Sequence, residues 1–492
     1  VDQLKDLEGY DYYVPDRTEL SAMKSLNYYT ETPKADCYSS DPPMDLKVRF
    51  EQLIGIDVEI LRRRLASDYY TGVERDVVIA YVTAADLNTT TTSPFLDCNN
   101  FDELLTTAHE FSCNANRKAT PGFPYNLRFN SVGQALDSVV KYDGYIDHER
   151  IVGFACFTVI HYVLESFSRI SSPSDALRRK LGSYNQLIVK LEPHPSRKLF
   201  PRIVVAMPVH FQIADQMMMI LTPPKPGTSS LLYGWGNHYG EALSEAMANV
   251  TGVTGGSWLK SDVSGWERSV SERSLLWANS ILACIGDYAS IMMPIMNNRA
   301  LALSNAAYLL RNGVVIAKNK SCLQVSGQFH TTTSNGIMRS AFAVSQGGRA
   351  FCNGDDCLEI NFKSAEQMVL GYQSMKLSTR DVEVCDPNDF EFSSHRFQRR
   401  DGVLHFSHVA PQKSVYRMIG TKSNLIQVLH LLSPNFSDKV SAGSFISDLQ
   451  CVADYLTSLG YDYSMPAEEF VDSLWSTDNT TSDESTEPVQ LR

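Results

Sequence analysis

Short apolar runs, punctuated by Gly, Pro and polar clusters, fill the middle of the chain, and their spacing separates strands from helices. Trp258 to Val263 reads as a strand that runs into Ser264-Gly265. A helical period follows through Val270, Ser274, Trp277, Ile281 and Cys284-Ile285. Ser326-Gly327 opens a loop, and Thr333 to Val344 then places Ile337, Ala341 and Val344 on one helical face. Apolar residues flank Gly354-Asp355-Asp356 on both sides, from Phe351 to Ile360, which predicts strand, tight turn, strand. A helix over Ala365 to Tyr372 and a strand near Leu377 complete the series. Elements in this mixed order predict an α+β fold, with a small sheet backed by helices on one face.

Composition narrows the class. With 492 residues, 43% apolar and 20% charged, the chain can bury a substantial core. Its formal charge of −12 excludes a protein that is basic all over, so a nucleic-acid binder would have to gather its cations locally. Ten cysteines are scattered without a Cys-x-x-Cys pair, which favours reduced, buried thiols in a cytosolic setting over a disulfide framework or a zinc module. Cys352 and Cys357, on either side of the carboxylate turn, read as small apolar filling. The most apolar stretch, Ile151 to Leu164, is too short to span a bilayer, contains His161 and predicts a buried helix, so no transmembrane segment is expected. The chain starts at Val1 with no signal-peptide pattern, as expected of a processed product. Ser476 to Arg492 has almost nothing to bury and is expected to be a disordered acidic tail.

Candidate chemistry centres on Asp355-Asp356. Adjacent carboxylates repel unless positive charge lies beside them, and a pair of Mg²⁺ ions about 4 Å apart would supply it. A solvated hairpin turn is the alternative. Asp262, at a strand end, offers a third ligand or simply a turn residue. Glu267 is placed to reach a sugar hydroxyl or only to favour a helix N-terminus. From Ser326 and Gly327 through Thr331 to Asn335, a loop rich in hydroxyls precedes a helix and can offer N–H and O–H groups to a nucleotide. Asn335 has both donor and acceptor for a ribose 2′-hydroxyl, although a Ser/Thr loop with a helix cap would read the same way. Lys190, Arg197, Lys198 and Arg202 stand against the single acid Glu192 in a proline-rich, extended run, a candidate phosphate clamp or a solvated basic loop. Thr120-Pro121-Gly122-Phe123-Pro124-Tyr125 fixes an irregular backbone and offers aromatic faces on which bases can stack.

Taken in order, Thr-Pro-Gly-x-Pro, the basic run ending at Arg202, Asp262-x4-Glu267, Ser326-Gly-x3-Thr-x3-Asn335 and Gly-Asp-Asp resemble the motifs of positive-strand viral RNA-dependent RNA polymerases. Phe390 to Phe397, Lys413 to Arg417 and Lys190-Leu-Glu-Pro-His look most like the sobemovirus, polerovirus and barnavirus branch. The resemblance covers roughly residues 120–417. It implies a right-hand polymerase with an RRM-like palm sheet: fingers 1–214, palm 215–272, fingers insertion 273–322, palm 323–401, thumb 402–475 and the tail 476–492. By resemblance, Asp262, Asp355 and Asp356 are the catalytic metal ligands, with Asp356 the more peripheral. Lys190, Lys198 and Arg202 line the triphosphate path, Glu267, Ser326, Gly327, Thr331 and Asn335 bind the nucleotide, and Thr120, Gly122 and Pro124 border the template entrance. Ser393 and Ser394 fall in a primer-gripping turn.

The implied cofactor is Mg²⁺, two ions, with Mn²⁺ able to substitute. The implied partners are a single-stranded RNA template, nascent RNA and ribonucleoside triphosphates, with a genome-linked protein primer and other viral replication proteins as candidates. The implied setting is replication complexes in the host cytoplasm. The chain departs from the family pattern at Glu267, where an aspartate is usual, and neither Lys376 nor Arg380 falls on the position of a general acid for pyrophosphate. A reverse transcriptase would share the palm aspartates, but Asn335 favours a ribose. A silent RNA-binding replication subunit and a Mg²⁺-dependent nuclease are the other readings to be tested.

Overall fold

The computed structural model describes residues 101–113, 115–137, 147–164, 173–179, 181–182, 184–189, 194–195, 203–221, 256–285, 289–309, 315–318, 324–375, 377–411, 424–460 and 464–475, the short strands Tyr12–Tyr13, Tyr29–Glu31 and Thr91–Thr92, and positions 170 and 244. Its centre is an antiparallel sheet of four strands in the order Arg349–Asn353, Asp356–Asn361, Ser257–Val263, Thr379–Cys385. The strand and the hairpin expected from the apolar runs are both present, and together they form three of its four strands. The strand expected near Leu377 begins at Thr379. The helical period after Ser264-Gly265 is broken: a single turn, Trp266–Ser269, ends at extended Val270, and the long helix runs over Glu272–Ile285.

Side chains alternate across a strand, so one register fixes both faces of this sheet. Leu259, Cys352 and Cys357 point to one side, where they pack with Ile337 and Ala341 of the Thr331–Ser345 helix and with Met368 and Tyr372 of the Ala365–Ser374 helix. The latter helix starts on a capping box between Ser364 and Gln367. Trp258, Phe351, Leu358 and Ile360 point the other way, against Phe390, Phe392, Phe397 and Phe406. Those four rings come from a three-stranded meander, Asp389–Phe392, His395–Arg400 and Val403–His408. Ser393 and Ser394, the two-residue turn between its first strands, both have positive φ, 47° and 64°. Non-glycine residues rarely hold that conformation, and Asn353 Nδ2 anchors it by donating to Ser393 Oγ at 2.9 Å.

A second sheet runs Tyr29–Glu31, Val315–Lys318, Ala307–Leu309, Tyr184–Val189, Ile203–Ala206. Beside it, the Asp147–Leu164 helix matches the buried helix expected from its apolar run, and it packs on the Val209–Met218 helix. A separate helical core closes the C-terminal part, where Leu425, Leu429, Phe436, Phe445 and Leu449 are buried together. Among the described residues, no helix is long and apolar enough to cross a membrane. The expected acidic tail after Trp475 lies outside the described residues.

Candidate active site

Asp262 ends the central strand and is half-buried. On the neighbouring strand, pairing stops at Cys357 opposite Ser261, so Asp356 and Asp262 are the next positions beyond it on adjoining strands. By alternation both stand on the face away from the helices. Gly354, at φ 63°, makes the hairpin tip, and a Cβ there would meet only Thr332 Cγ2 at 3.7 Å. Its requirement for glycine is therefore the left-handed backbone and not crowding. Partial burial, then the charges of Asp355 and Asp262, push the Asp356 carboxyl up to about 6, against the pull of Lys260 and Arg339. Because the Asp356 side chain is surface-exposed, charge crowding weighs more here than loss of water. Among the described residues, no group of three or more His, Cys, Asp or Glu is gathered into a ready cage for a metal.

The element that fixes them is one the sequence reading passed over. Arg339, one helical turn after Asn335, is fully buried. Its Nη2 donates to Ser261 O at 3.2 Å and to Ser261 Oγ at 2.7 Å, and its Nε donates to Asp355 O at 3.1 Å. The guanidinium also lies over the rings of Tyr372 and Trp266, 5.2 and 5.9 Å from their centroids. One side chain thus ties the strand carrying Asp262, the tip carrying Asp355 and the helix carrying Asn335. The available signal was an arginine amid the apolar positions Ile337, Met338, Ala341 and Phe342 of its helix, four residues from Asn335.

Around Asn335 the partner is a residue that no motif includes. Glu267 is half-buried, and among the described residues no hydrogen bond joins its side chain to Asn335. Gln324 occupies that position: its Nε2 donates to Asn335 Oδ1 at 2.9 Å, and its backbone N–H donates to Glu267 O at 2.8 Å. Thr331 Oγ1 donates to the carbonyls of Val325 and Gln328, both at 2.9 Å, which curls the loop onto the helix start. Ser326 Oγ accepts from Val205 N–H at 2.9 Å. A Cβ on Gly327 would lie 2.1 Å from Val205 O, so only glycine lets the loop seat there.

The same segment receives the upstream turn. Gly122 packs with its Cα against Met207 and Pro208, where a Cβ would approach Met207 O to 2.6 Å, and Val209 N–H donates to Pro121 O at 2.9 Å. Thr120 and Pro124 are half-buried beside it. Tyr125 and His210 meet at 2.9 Å between hydroxyl and Nδ1, and burial pushes His210 down to about 3, so this imidazole is neutral. Residues 205–209 therefore join two of the segments singled out from sequence. The third, the cationic run, ends at their doorstep: Arg202 immediately precedes the strand Ile203–Ala206, and Lys190, Lys198 and Arg202 lie outside the described residues. Lys376 lies outside them too, whereas Arg380 takes the register position opposite Asp262 on the edge strand.

Comparison with known proteins first gives the class. The fold is the α+β fold of viral RNA-dependent RNA polymerases: the solved Sicinivirus 3Dpol RNA dependent RNA polymerase matches with a TM-score of 0.55 over 83% of this chain and 86% of that one, at 14% identity. In sequence, the chain is similar to the replicase polyprotein P2AB of Southern cowpea mosaic virus, 24% identical over 353 residues, which are 67% of this chain and 34% of that protein. It is also similar to protein P1-P2 of Pea enation mosaic virus-1, 23% identical over 320 residues, 59% of this chain and 24% of that one. The replicase polyprotein P2AB of Cocksfoot mottle virus is 24% identical over 309 residues, 57% of this chain and 30% of that one. The chain spans about a third or less of the length of these relatives. No family model matches it.

Proposed function

We propose that the chain catalyses template-directed RNA synthesis, transferring a nucleotidyl group from a ribonucleoside triphosphate to an RNA 3′-hydroxyl. The observation that carries this reading is Arg339, which fastens the Asp262 strand, the Asp355 tip and the Asn335 helix into one frame. A nuclease needs the carboxylates but not a ribose-facing amide built into the same frame.

The donor set fits Mg²⁺, with Mn²⁺ able to replace it. Carboxylate oxygens at adjoining strand ends are hard ligands, and the crowding that raises Asp356 is what a bound cation relieves. Asp262 and Asp355 would hold it principally, with Asp356 alongside. When bound, a pair of such ions lowers the pKa of the attacking hydroxyl and stabilises the departing pyrophosphate. The chain's own residues do the rest. Asn335 meets the ribose; the loop of Ser326, Gly327 and Thr331, held at its correct height on Val205, and Glu267 below it shape the sugar pocket. Lys190, Lys198 and Arg202 receive the triphosphate, and the turn of Thr120, Gly122 and Pro124 borders the template. Base pairing selects the nucleotide, so the protein reads shape and charge.

In this reading residues 1–214 and 273–322 are fingers, 215–272 and 323–401 palm, and 402–475 thumb. The partners are single-stranded template RNA, nascent RNA and ribonucleoside triphosphates, with a genome-linked protein primer and further replication proteins in cytoplasmic replication complexes. The test is Mg²⁺-dependent incorporation on single-stranded RNA, with and without primer, for the wild type and Asp355→Ala. Extension by the wild type alone is expected. Equal extension by both proteins, or shortening of the template, would remove the assignment.

A further inference from the structure

Gln324 is almost completely buried, 1% exposed, at the point where the chain enters the Ser326-Gly327 loop. Three facts define its place. Its backbone N–H is fixed on Glu267 O at 2.8 Å. Its Nε2 donates to Asn335 Oδ1 at 2.9 Å. Its Oε1 is buried and, among the described residues, has no hydrogen-bond partner. The last fact matters, because a buried acceptor without a donor is unfavourable, and an apolar side chain of similar volume would fill the same space without one. What the carboxamide adds at this position is the bond to Asn335.

That bond has a directional consequence. A carboxamide has an acceptor end and a donor end. With Oδ1 engaged by Gln324, Asn335 is held in one of its two orientations, and Nδ2 becomes the end left to meet a ligand. A 2′-hydroxyl oxygen accepts from such a donor; a 2′-hydrogen does not. Glu267 contributes its backbone carbonyl as the anchor of Gln324.

We propose that Gln324 is a positioning residue for ribose selection, acting by orienting the Asn335 carboxamide. This rests on the polymerase reading above and extends it to a residue outside the recognised motifs. The measurement is kcat/KM for a ribonucleotide and its 2′-deoxy and 2′-fluoro analogues on a primed RNA template. It is made for the wild type, Gln324→Met, Asn335→Ala and the double variant, with thermal melting to check folding. Gln324→Met should lower the ribo-to-deoxy ratio about five- to tenfold, the worth of one oriented hydrogen bond. On the Asn335→Ala background it should change that ratio no further.

The wild type alone supplies a test independent of whether any variant folds. Fluorine accepts a hydrogen bond but cannot donate one, so the 2′-fluoro substrate should be used better than the 2′-deoxy one. Equal use of the two would overturn the proposal. So would a Gln324→Met protein that loses ribo and deoxy activity in equal measure, or a further change of ratio on the Asn335→Ala background. A wild type that incorporates none of the three would instead overturn the polymerase reading itself.

Discussion

Two arginines of this protein are both buried and solve the problem in opposite ways. Arg299, 4% exposed, is met head-on by Asp215, equally buried, through Nε to Oδ1 at 2.6 Å and Nη2 to Oδ2 at 2.7 Å. The pair is neutral as a unit and locks the Ala289–Ser304 helix to the Val209–Met218 helix. Arg339 has no such carboxylate: among the described residues no ion pair reaches it, and its hydrogen bonds go to two carbonyls and a hydroxyl. Among the described residues its Nη1 has no hydrogen-bond partner. Its charge is felt without direct contact by the buried Glu359 carboxylate and by the sheet edge, where it pulls Asp356 down against the push of the neighbouring carboxylates. One arginine is a scaffold element and the other is a fixed counter-charge beneath a cluster of acids. Burial alone does not tell the two apart; the identity of the acceptor does.

The largest effect should follow from breaking the scaffold pair. Asp215→Asn keeps the shape but strands the Arg299 charge in the interior, which costs about 3–5 kcal/mol. Urea unfolding should show it as a lowered midpoint, and a loss of under about 1 kcal/mol would mean that Arg299 finds solvent or another acceptor. Arg339→Met should reverse the balance between stability and activity. It removes a buried charge as well as three hydrogen bonds, so its stability loss should be smaller than that of Asp215→Asn. Primer extension should nevertheless fall about hundredfold or more, because the Asp262 and Asp355 segments lose their common tether. Retained activity with lost stability would make Arg339 a second scaffold residue and erase the distinction.

A smaller effect tests how the scaffold side reaches the site. Arg299 Nη2 also touches Met207 Sδ at 3.6 Å, under the segment on which Gly122 and Gly327 are seated. Gly327→Ala puts a methyl group 2.1 Å from Val205 O, so the loop must lift. We expect a stability loss of about 1–3 kcal/mol by thermal or urea melting. Nucleotide KM should rise more than kcat falls, since the carboxylates are tethered elsewhere. A loop that tolerates alanine in both measurements would show that its seat is not rigid.

The contrast also explains what the sequence made readable. The hairpin, the Asp262 strand and the Thr331–Ser345 helix are local patterns of apolar period plus a turn glycine, and each lies within a residue or two of its expected place. The order of the motifs carried the fold class. Contacts between distant residues were not legible. Arg339 reaches Ser261 across 78 positions, and nothing in its neighbourhood marks that bond. Asn335 was legible from motif spacing, but its hydrogen-bond partner is Gln324, which no motif includes. Ser326 and Gly327 were read as groups facing a nucleotide; in the structure they are engaged with Val205. A loop's sequence states what it can offer, while its partner strand decides which face it offers.

The smallest effect lies at the acidic side of Arg339 and is visible only as a pH trend. Asp356 rises on folding from its ordinary carboxylate value to about 6. A carboxyl raised in this way favours the folded state at pH below its unfolded value, near 4, and that contribution is lost as the pH climbs through 6. The metal-free protein should therefore lose stability over this window as charge accumulates on the sheet edge. Asp356→Asn removes the titrating group, so in chelator its melting temperature should match the wild type at pH 4 and exceed it modestly at pH 8. Adding Mg²⁺ should narrow the gap at pH 8, because a cation among the carboxylates offsets the same repulsion that the substitution abolishes. A gap that is already present at pH 4, or one that Mg²⁺ leaves unchanged, would mean that Asp356 is a solvated turn residue. Arg339 would then be counter-charge to Asp262 and Asp355 alone.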